Sequence, residues 1–342
     1  MKALVKDGAG ASFALLEVPE PVPGPDDVVV RVDSVGVCGT DQHILHDVYP
    51  HADPLIPGHE FVGEIAAVGA GVKGWSSGDR VVSELHTGAC LDCPLCRSGN
   101  PQICPQKRAL GTWTDGAYAE FVRVPAWLLH RPPPSTDDHQ ATLIEPAACA
   151  LHGILERGRL EPGERVLVVG HGPIGILSAQ IAATAGAGLV VISGTSRRST
   201  VRLDAARNLG FVVIDSLTED LDGRVKDLTT GEGFDLAIET AGTEVALAQS
   251  IFAVRRGGRV TVLGLSGKSE AIFPWDTALV NDLDLVFSFS SRASSWEHVI
   301  DLIANGKIGG DDMISHVLPL AEWKAGYDAI DRGQAVKVVL RP

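Results

Sequence analysis

The stretch Arg165–Gly175, RVLVVGHGPIG, limits what this chain can fold into more than any other. A β-branched run, Val166–Val169, passes directly into Gly170, Gly172 and Gly175 at GxGxxG spacing, and an apolar segment of helical length continues to about Gly186. Strand, tight turn and helix follow in that order. The first glycine permits the bend, the second lets backbone approach a pyrophosphate, and the third lets helix pack on strand. The helix N-terminus then offers unpaired N–H groups and a partial positive charge to phosphate. These residues, with Pro173 and Ile174 inside the motif, are the expected dinucleotide contacts.

Beyond Leu160, short apolar runs alternate with helix-length segments. Val166–Val169, Leu189–Ile192, Val212–Ile214, Leu236–Ile238, Val260–Leu263 and Leu285–Phe289 read as strands. Such alternation means a parallel sheet with crossover helices, and six strands complete a doubly wound α/β sheet. The first third reads as antiparallel β instead: VVVRVDSV, EFVGEIAAVG and YAEFVRV alternate apolar and polar positions, with prolines 19, 21, 23 and 25 as punctuation. A helix near Trp296–Asn305 and a closing strand, Val336–Leu340, are expected to return to that first domain. At 342 residues two domains are the default.

The formal net charge of −14 disfavours nucleic acid and anionic membranes, which attract basic surfaces. MKALVKDGAG has no export-signal character, and no apolar run reaches the ~18 residues of a membrane span. The expectation is a cytoplasmic enzyme with a small-molecule substrate.

Four of the six cysteines, Cys90, Cys93, Cys96 and Cys104, lie within fifteen residues among glycines and prolines. Without an export signal such clustering means a tetrahedral zinc site, and four thiolates leave no position for substrate, so this zinc is structural. A reaction centre is better sought at Cys38 in GVCGTD and at His59 and Glu60 in PGHEF, with Glu145 in LIEPAACALHG. Singly, each has a structural reading: a buried thiol, a bonded imidazole, a surface carboxylate. Together they mix soft, borderline and hard ligands as a catalytic zinc with one open position does.

In order and spacing, GVCGTDxH, PGHEFVGE, the four-cysteine lobe, LIEPAACALHG and GHGPIG closely resemble the zinc-dependent medium-chain dehydrogenases, especially the polyol and sugar branch that includes sorbitol (L-iditol) dehydrogenase. The resemblance spans essentially the whole chain. It implies a GroES-like β-rich catalytic domain from both chain ends, residues 1–153 and 291–342, carrying the zinc lobe at 86–106, with a Rossmann nucleotide-binding domain at 154–290 between them. It implies one structural zinc and one catalytic zinc, the latter at Cys38, His59 and Glu60 with Glu145 ligating directly or through water. Thr40 and His43 resemble the family's hydroxyl and imidazole proton relay, and Lys337 its basic position near the pyrophosphate. Cys149 reads as core. Trp113 and Phe289–Arg292 are cleft walls by family position, although Trp113 reads equally well as core. The implied reaction is hydride transfer between a secondary alcohol of a polyol, sugar or cyclitol and NAD(P). The rivals are an alcohol or L-threonine 3-dehydrogenase, and a zinc-stabilised nucleotide-binding protein without catalysis, which the joint presence of Cys38, Thr40, His43, His59 and Glu60 disfavours. Relatives are homodimers or homotetramers, and Leu285–Phe289 is a natural pairing edge.

NAD-selective Rossmann domains usually carry Asp or Glu about 20 residues past the glycines, to hold the ribose hydroxyls. Here that place holds Gly194, followed by Thr195, Ser196, Arg197 and Arg198. A small residue leaves room for a 2′-phosphate, and hydroxyl and guanidinium groups bind one through charge-assisted bonds. NADP is therefore favoured over NAD, the other reading being that both arginines merely solvate the next helix. His171 departs from the small residue usual within the glycine motif.

Overall fold

The computed structural model describes residues 1–342. Six parallel strands form one sheet, in the spatial order Val212–Asp215, Leu189–Gly194, Arg165–Val169, Phe234–Glu239, Val254–Val262 and Asp284–Phe287. The chain enters at the centre and winds outward in both directions. The order thus reverses between Arg165–Val169 and Phe234–Glu239, the switch point at which sheets of this kind bind ligands. Val166, Leu167 and Val168 are fully buried, which explains why the run is apolar without alternation: helices cover both faces of the sheet.

Most expected element ends shift by a residue or a few, and two of the shifts are informative. The strand expected from Val260 begins at Val254, and the RRGG segment bulges out between Val254, paired with Phe234, and Arg259, paired with Leu236, with Gly257 at φ 65°. The strand expected to reach Phe289 stops at Phe287, and Ser290 turns the chain with φ 60°.

A second, mainly antiparallel sheet is built around Asp27–Gly36, which pairs with Glu60–Val68 and Phe121–Pro125. The C-terminal strand Lys337–Arg341 pairs antiparallel with the same strand, and Ile314–Pro319 adds outside it. Residues from both chain ends therefore share one core, Val30, Phe61 and Tyr118 packing in the same cluster as Val338 and Leu340. Between the sheets runs the helix Ile144–Leu151, whose apolar side chains join Val62 and Val82 of the antiparallel sheet to Ile176 and Leu177 of the nucleotide-side helix. No helix is long and apolar enough to cross a membrane.

The glycine turn is built as its spacing requires. A Cβ on Gly175 would lie 2.0 Å from the Gly170 carbonyl oxygen, whereas one on Gly172, N-cap of the helix Pro173–Thr184, would meet nothing within 4 Å. Gly175→Ala is expected to lower stability by about 2 kcal/mol or more, because backbone must yield. Gly172→Ala should melt within about 0.5 kcal/mol of the parent yet bind nucleotide more weakly. Thermal unfolding and nucleotide titration of the two variants check this contrast.

Candidate active site

Strand register assembles the site. Glu60 pairs directly across from Gly36, and Cys38, two residues on, caps the helix Gly39–Leu45. A side chain at residue 36 would collide with the Glu60 carboxylate, its Cβ falling 2.4 Å from Oε2, so glycine leaves the space that carboxylate occupies. The metal-ligating atoms of Cys38, His59 and Glu60 all lie within 4.8 Å of one another. Glu145, on the buried junction helix, adds a carboxylate that acts electrostatically on His59. Cys149 is not plain core: it is half-buried one turn beyond Glu145, and its thiol donates to Glu145 Oε1 at 3.3 Å.

The electrostatics are lopsided. His59, Glu60, Glu145, Asp41 and Lys337 are all buried. Burial opposes a charge on His59, but Asp41, then Cys38, outweigh it and hold the imidazole well above its ordinary range. Burial pushes the Glu145 carboxyl up; His59 counters this and Glu60 adds to it. Burial likewise opposes the Lys337 charge, and the Glu60 carboxylate more than restores it. One imidazole and one ammonium thus face a thiol and three carboxyls. A divalent cation would supply the missing positive charge and take the place of the proton on His59. Thiolate, imidazole and carboxylate are also the donors zinc accepts, so the residues fit that ion.

The four-cysteine lobe fits a second one. Its sulfurs approach to 3.6 Å between Cys90 and Cys104 and to 4.0 Å for Cys90–Cys96 and Cys93–Cys104. Backbone N–H groups of Cys90 and Gln106 point at the Cys104 sulfur, and the first of these is the main cause holding its thiol down to about 6. Desolvation, with the neighbouring thiols, pushes Cys96 up to about 12, so the four do not ionise together without a cation.

Thr40 and His43 lie three residues apart on the helix Gly39–Leu45, hence on one face. Both are half-buried, and burial, then His46, lowers the His43 pKa. A crevice of about 200 Å³, open to solvent, is lined by Cys38, Gly39, Pro173, Arg198, Val336 and Val338. Its position at the glycine turn and the open space over Gly172 suit a dinucleotide.

Other expected residues fall differently. Lys337 does not reach this crevice: strand alternation turns Val336 and Val338 toward it and gives the Lys337 ammonium to Glu60. Arg197 is exposed and outside the crevice lining, while Thr195 and Ser196 form the half-buried turn before Arg198. Arg292 faces Glu156 at 3.5 Å, and Trp113 is 44% exposed, so it is not core. Three functional positions escaped the sequence reading. Asp41 accepts from Cys38 N–H, Gly58 N–H and the Tyr118 hydroxyl, and stands 3.5 Å from His59 Nδ1. Arg202 lines the crevice one turn into the next helix. Lys107 lies over the Phe289 ring, 4.9 Å from its centroid and 3.5 Å from Ser290 Oγ, and burial pushes its pKa down to about 8 against the pull of Cys149 and Glu145. Only the Asp41 spacing, three residues after Cys38, was a usable signal.

Comparison with known proteins agrees with this geometry. Residues 24–134 match the alcohol dehydrogenase GroES-like domain, and residues 173–305 match the zinc-binding dehydrogenase domain. A sorbitol dehydrogenase of Halalkalibacterium halodurans is 38% identical over 344 residues, covering 100% of this chain and 99% of the relative. An L-threonine 3-dehydrogenase of Stenotrophomonas maltophilia is 34% identical, covering 99% of each. A crystal structure from Sinorhizobium meliloti 1021, described as a zinc-binding dehydrogenase bound to NADP, superposes with a TM-score of 0.89 at 32% identity, covering 100% of this chain and 99% of that one. The chain belongs to the zinc-dependent medium-chain alcohol dehydrogenase family, with a GroES-like part and a Rossmann-like parallel sheet, and it is an oxidoreductase of the alcohol and polyol dehydrogenase type.

Proposed function

We propose that the protein transfers a hydride between a secondary alcohol of a polyol, sugar or cyclitol and NADP, with the catalytic zinc held by Cys38, His59 and Glu60 and with Glu145 ligating directly or through water. The observation that carries this reading is the convergence of those three donors, of which Cys38 lines a crevice together with Pro173 of the glycine turn, Arg198 and Arg202. Zinc held by these residues would supply a Lewis acid that lowers the pKa of the alcohol. Asp41, beside His59 Nδ1, leaves Nε2 of that ring for the ion and fixes its orientation. Lys337 neutralises part of the Glu60 charge. Thr40 and His43 carry the alcohol proton toward solvent, and the lowered His43 pKa keeps the imidazole neutral and able to accept it.

The NADP preference is supported by Gly194, Arg198 and Arg202 and by the NADP-bound relative. The polyol class is supported by the sorbitol dehydrogenase relative and by the polar surroundings of Glu145, where Lys107 and Ser290 suit a polyhydroxylated substrate better than a simple alcohol. L-threonine oxidation is the second reading, favoured by the 34% identical relative. Residues 1–153 with 291–342 as catalytic domain, and 154–290 as nucleotide domain, follow from the same reading. The net charge of −14 accords with a cytoplasmic location and with neither nucleic acid nor membrane as partner. Exposed Leu279 and Val280 on the helix Trp275–Val280, and Phe287 on the outer strand of the parallel sheet, favour a homodimer or homotetramer.

Elemental analysis is expected to find two zinc ions per chain and one in Cys38→Ser; a single zinc unaffected by that change contradicts the catalytic site. Because His43 must be unprotonated to accept a proton and its pKa lies below the ordinary 6.5, alcohol oxidation should hold steady as pH falls to that value and decline only beneath it. His43→Gln should lose roughly a hundredfold in kcat near neutral pH and much less in alkaline buffer. A panel of polyols, simple alcohols and L-threonine, followed by nicotinamide reduction with each nucleotide separately, should favour a polyhydroxylated substrate with NADP. Turnover confined to L-threonine would select the second reading.

A further inference from the structure

The His171 side chain lies where a nucleotide-binding sheet of this kind usually reads the adenosine ribose. It follows Gly170 at the tip of the central strand, and only 7% of it is exposed. A Cβ on Gly194, the last residue of the neighbouring strand, would fall 2.4 Å from His171 Nδ1 and 2.5 Å from its Cγ. The imidazole therefore fills the volume of a side chain at 194, which in NAD-selective proteins holds the carboxylate that bonds the ribose hydroxyls. The ring's bonding capacity is not fully used: the Ser199 backbone is the one partner in its reach, and Nε2 is buried unpaired.

The charged groups around the ring are Arg202, Arg198 and Asp215. Asp215 is already engaged, its Oδ1 accepting the backbone N–H groups of Ser196 at 3.0 Å and Leu217 at 3.1 Å. Arg202 spends only Nε, on the Ala335 carbonyl at 2.8 Å, which leaves its terminal nitrogens free, and both arginines line the crevice. Burial, then Arg202, pushes the imidazole down to about 4 against the Ser199 backbone contact, so the ring is neutral before any anion arrives and carries one N–H. Uncommitted donors thus surround one spot whose single acid is tied up elsewhere, an arrangement that suits a phosphate.

We propose that His171 is a specificity-determining residue that reads the adenosine 2′ position: its ring shuts out carboxylate recognition from residue 194 and joins Arg198 and Arg202 in holding the 2′-phosphate of NADP. The inference rests on the NADP reading above. It also changes what a single substitution does. Gly194→Asp, the change the sequence alone would suggest for gaining NAD, drives its side chain into the ring.

The test is the dissociation constant of NADPH and of NADH, measured by calorimetry on the whole protein and on His171→Ala, His171→Gln, Gly194→Asp and the His171→Ala/Gly194→Asp double variant. His171→Ala should weaken NADPH about tenfold or more and leave NADH within about twofold. His171→Gln, which keeps a donor, should retain much of the NADPH preference. Gly194→Asp alone should bind both nucleotides poorly, and the double variant should regain NADH and reverse the preference, a non-additive result. Equal weakening of both nucleotides in His171→Ala, or full reversal by Gly194→Asp alone, would overturn the role of His171 while leaving the NADP reading intact. A parent protein that prefers NADH would instead overturn the NADP reading.

Discussion

Anionic groups held out of water are the constraint on which this molecule depends. Asp41, Glu60 and Glu145 are buried beside Cys38 and His59, with Lys337 as the one fixed cation among them. Isolated buried carboxylates are costly, and a fold keeps them only when paired or when a metal completes the charge. The groups come from five segments: the end of the first long strand, the helix it enters, the strand beginning at Glu60, the junction helix, and the last strand of the chain. Bringing them together requires both chain ends in one sheet, and the Lys337–Glu60 pair shows why the C-terminal strand cannot be a dispensable tail.

The same strand does two jobs on its two faces. Lys337 turns inward to the acid cluster, while Val336 and Val338 turn outward to line the nucleotide crevice. The period-two alternation of a strand thus separates ligand chemistry from cofactor packing. On the opposite wall, the third glycine of the turn brings helix against strand, and the second leaves open space at the helix N-terminus. The crevice proposed for the nucleotide is thus also lined by Cys38, at the start of the helix that bears Thr40 and His43.

Much of this was legible in the residues. Buried parallel strands announce themselves as unbroken apolar runs, and all six were located, with errors at Val254 and Phe287 where glycine and a positive-φ serine move the ends. The metal-ligand sets were legible because sulfur, imidazole and carboxylate at short spacing have few other uses. What stayed hidden was side-chain direction. The basic residue in AVKVVL could serve a pyrophosphate or a carboxylate, and only the pleat decides between them. Arg292 is turned to Glu156 and Cys149 to Glu145 by helical neighbours that no local pattern discloses. The contact of His171 with Gly194 joins the turn after one strand to the end of its neighbour, 23 positions apart by their numbers, and depends on the parallel register rather than on either motif alone.

The central claim concerns two different ligand shells, and X-ray absorption at the zinc edge separates them most directly. The expected spectrum of the zinc-loaded protein combines Zn–S distances near ~2.3 Å with Zn–N/O distances near ~2.0–2.2 Å, and Cys93→Ser, which damages only the lobe, should raise the N/O share. A purely sulfur shell, unchanged in Cys38→Ser, would mean that the buried acid cluster holds no zinc and would contradict the account.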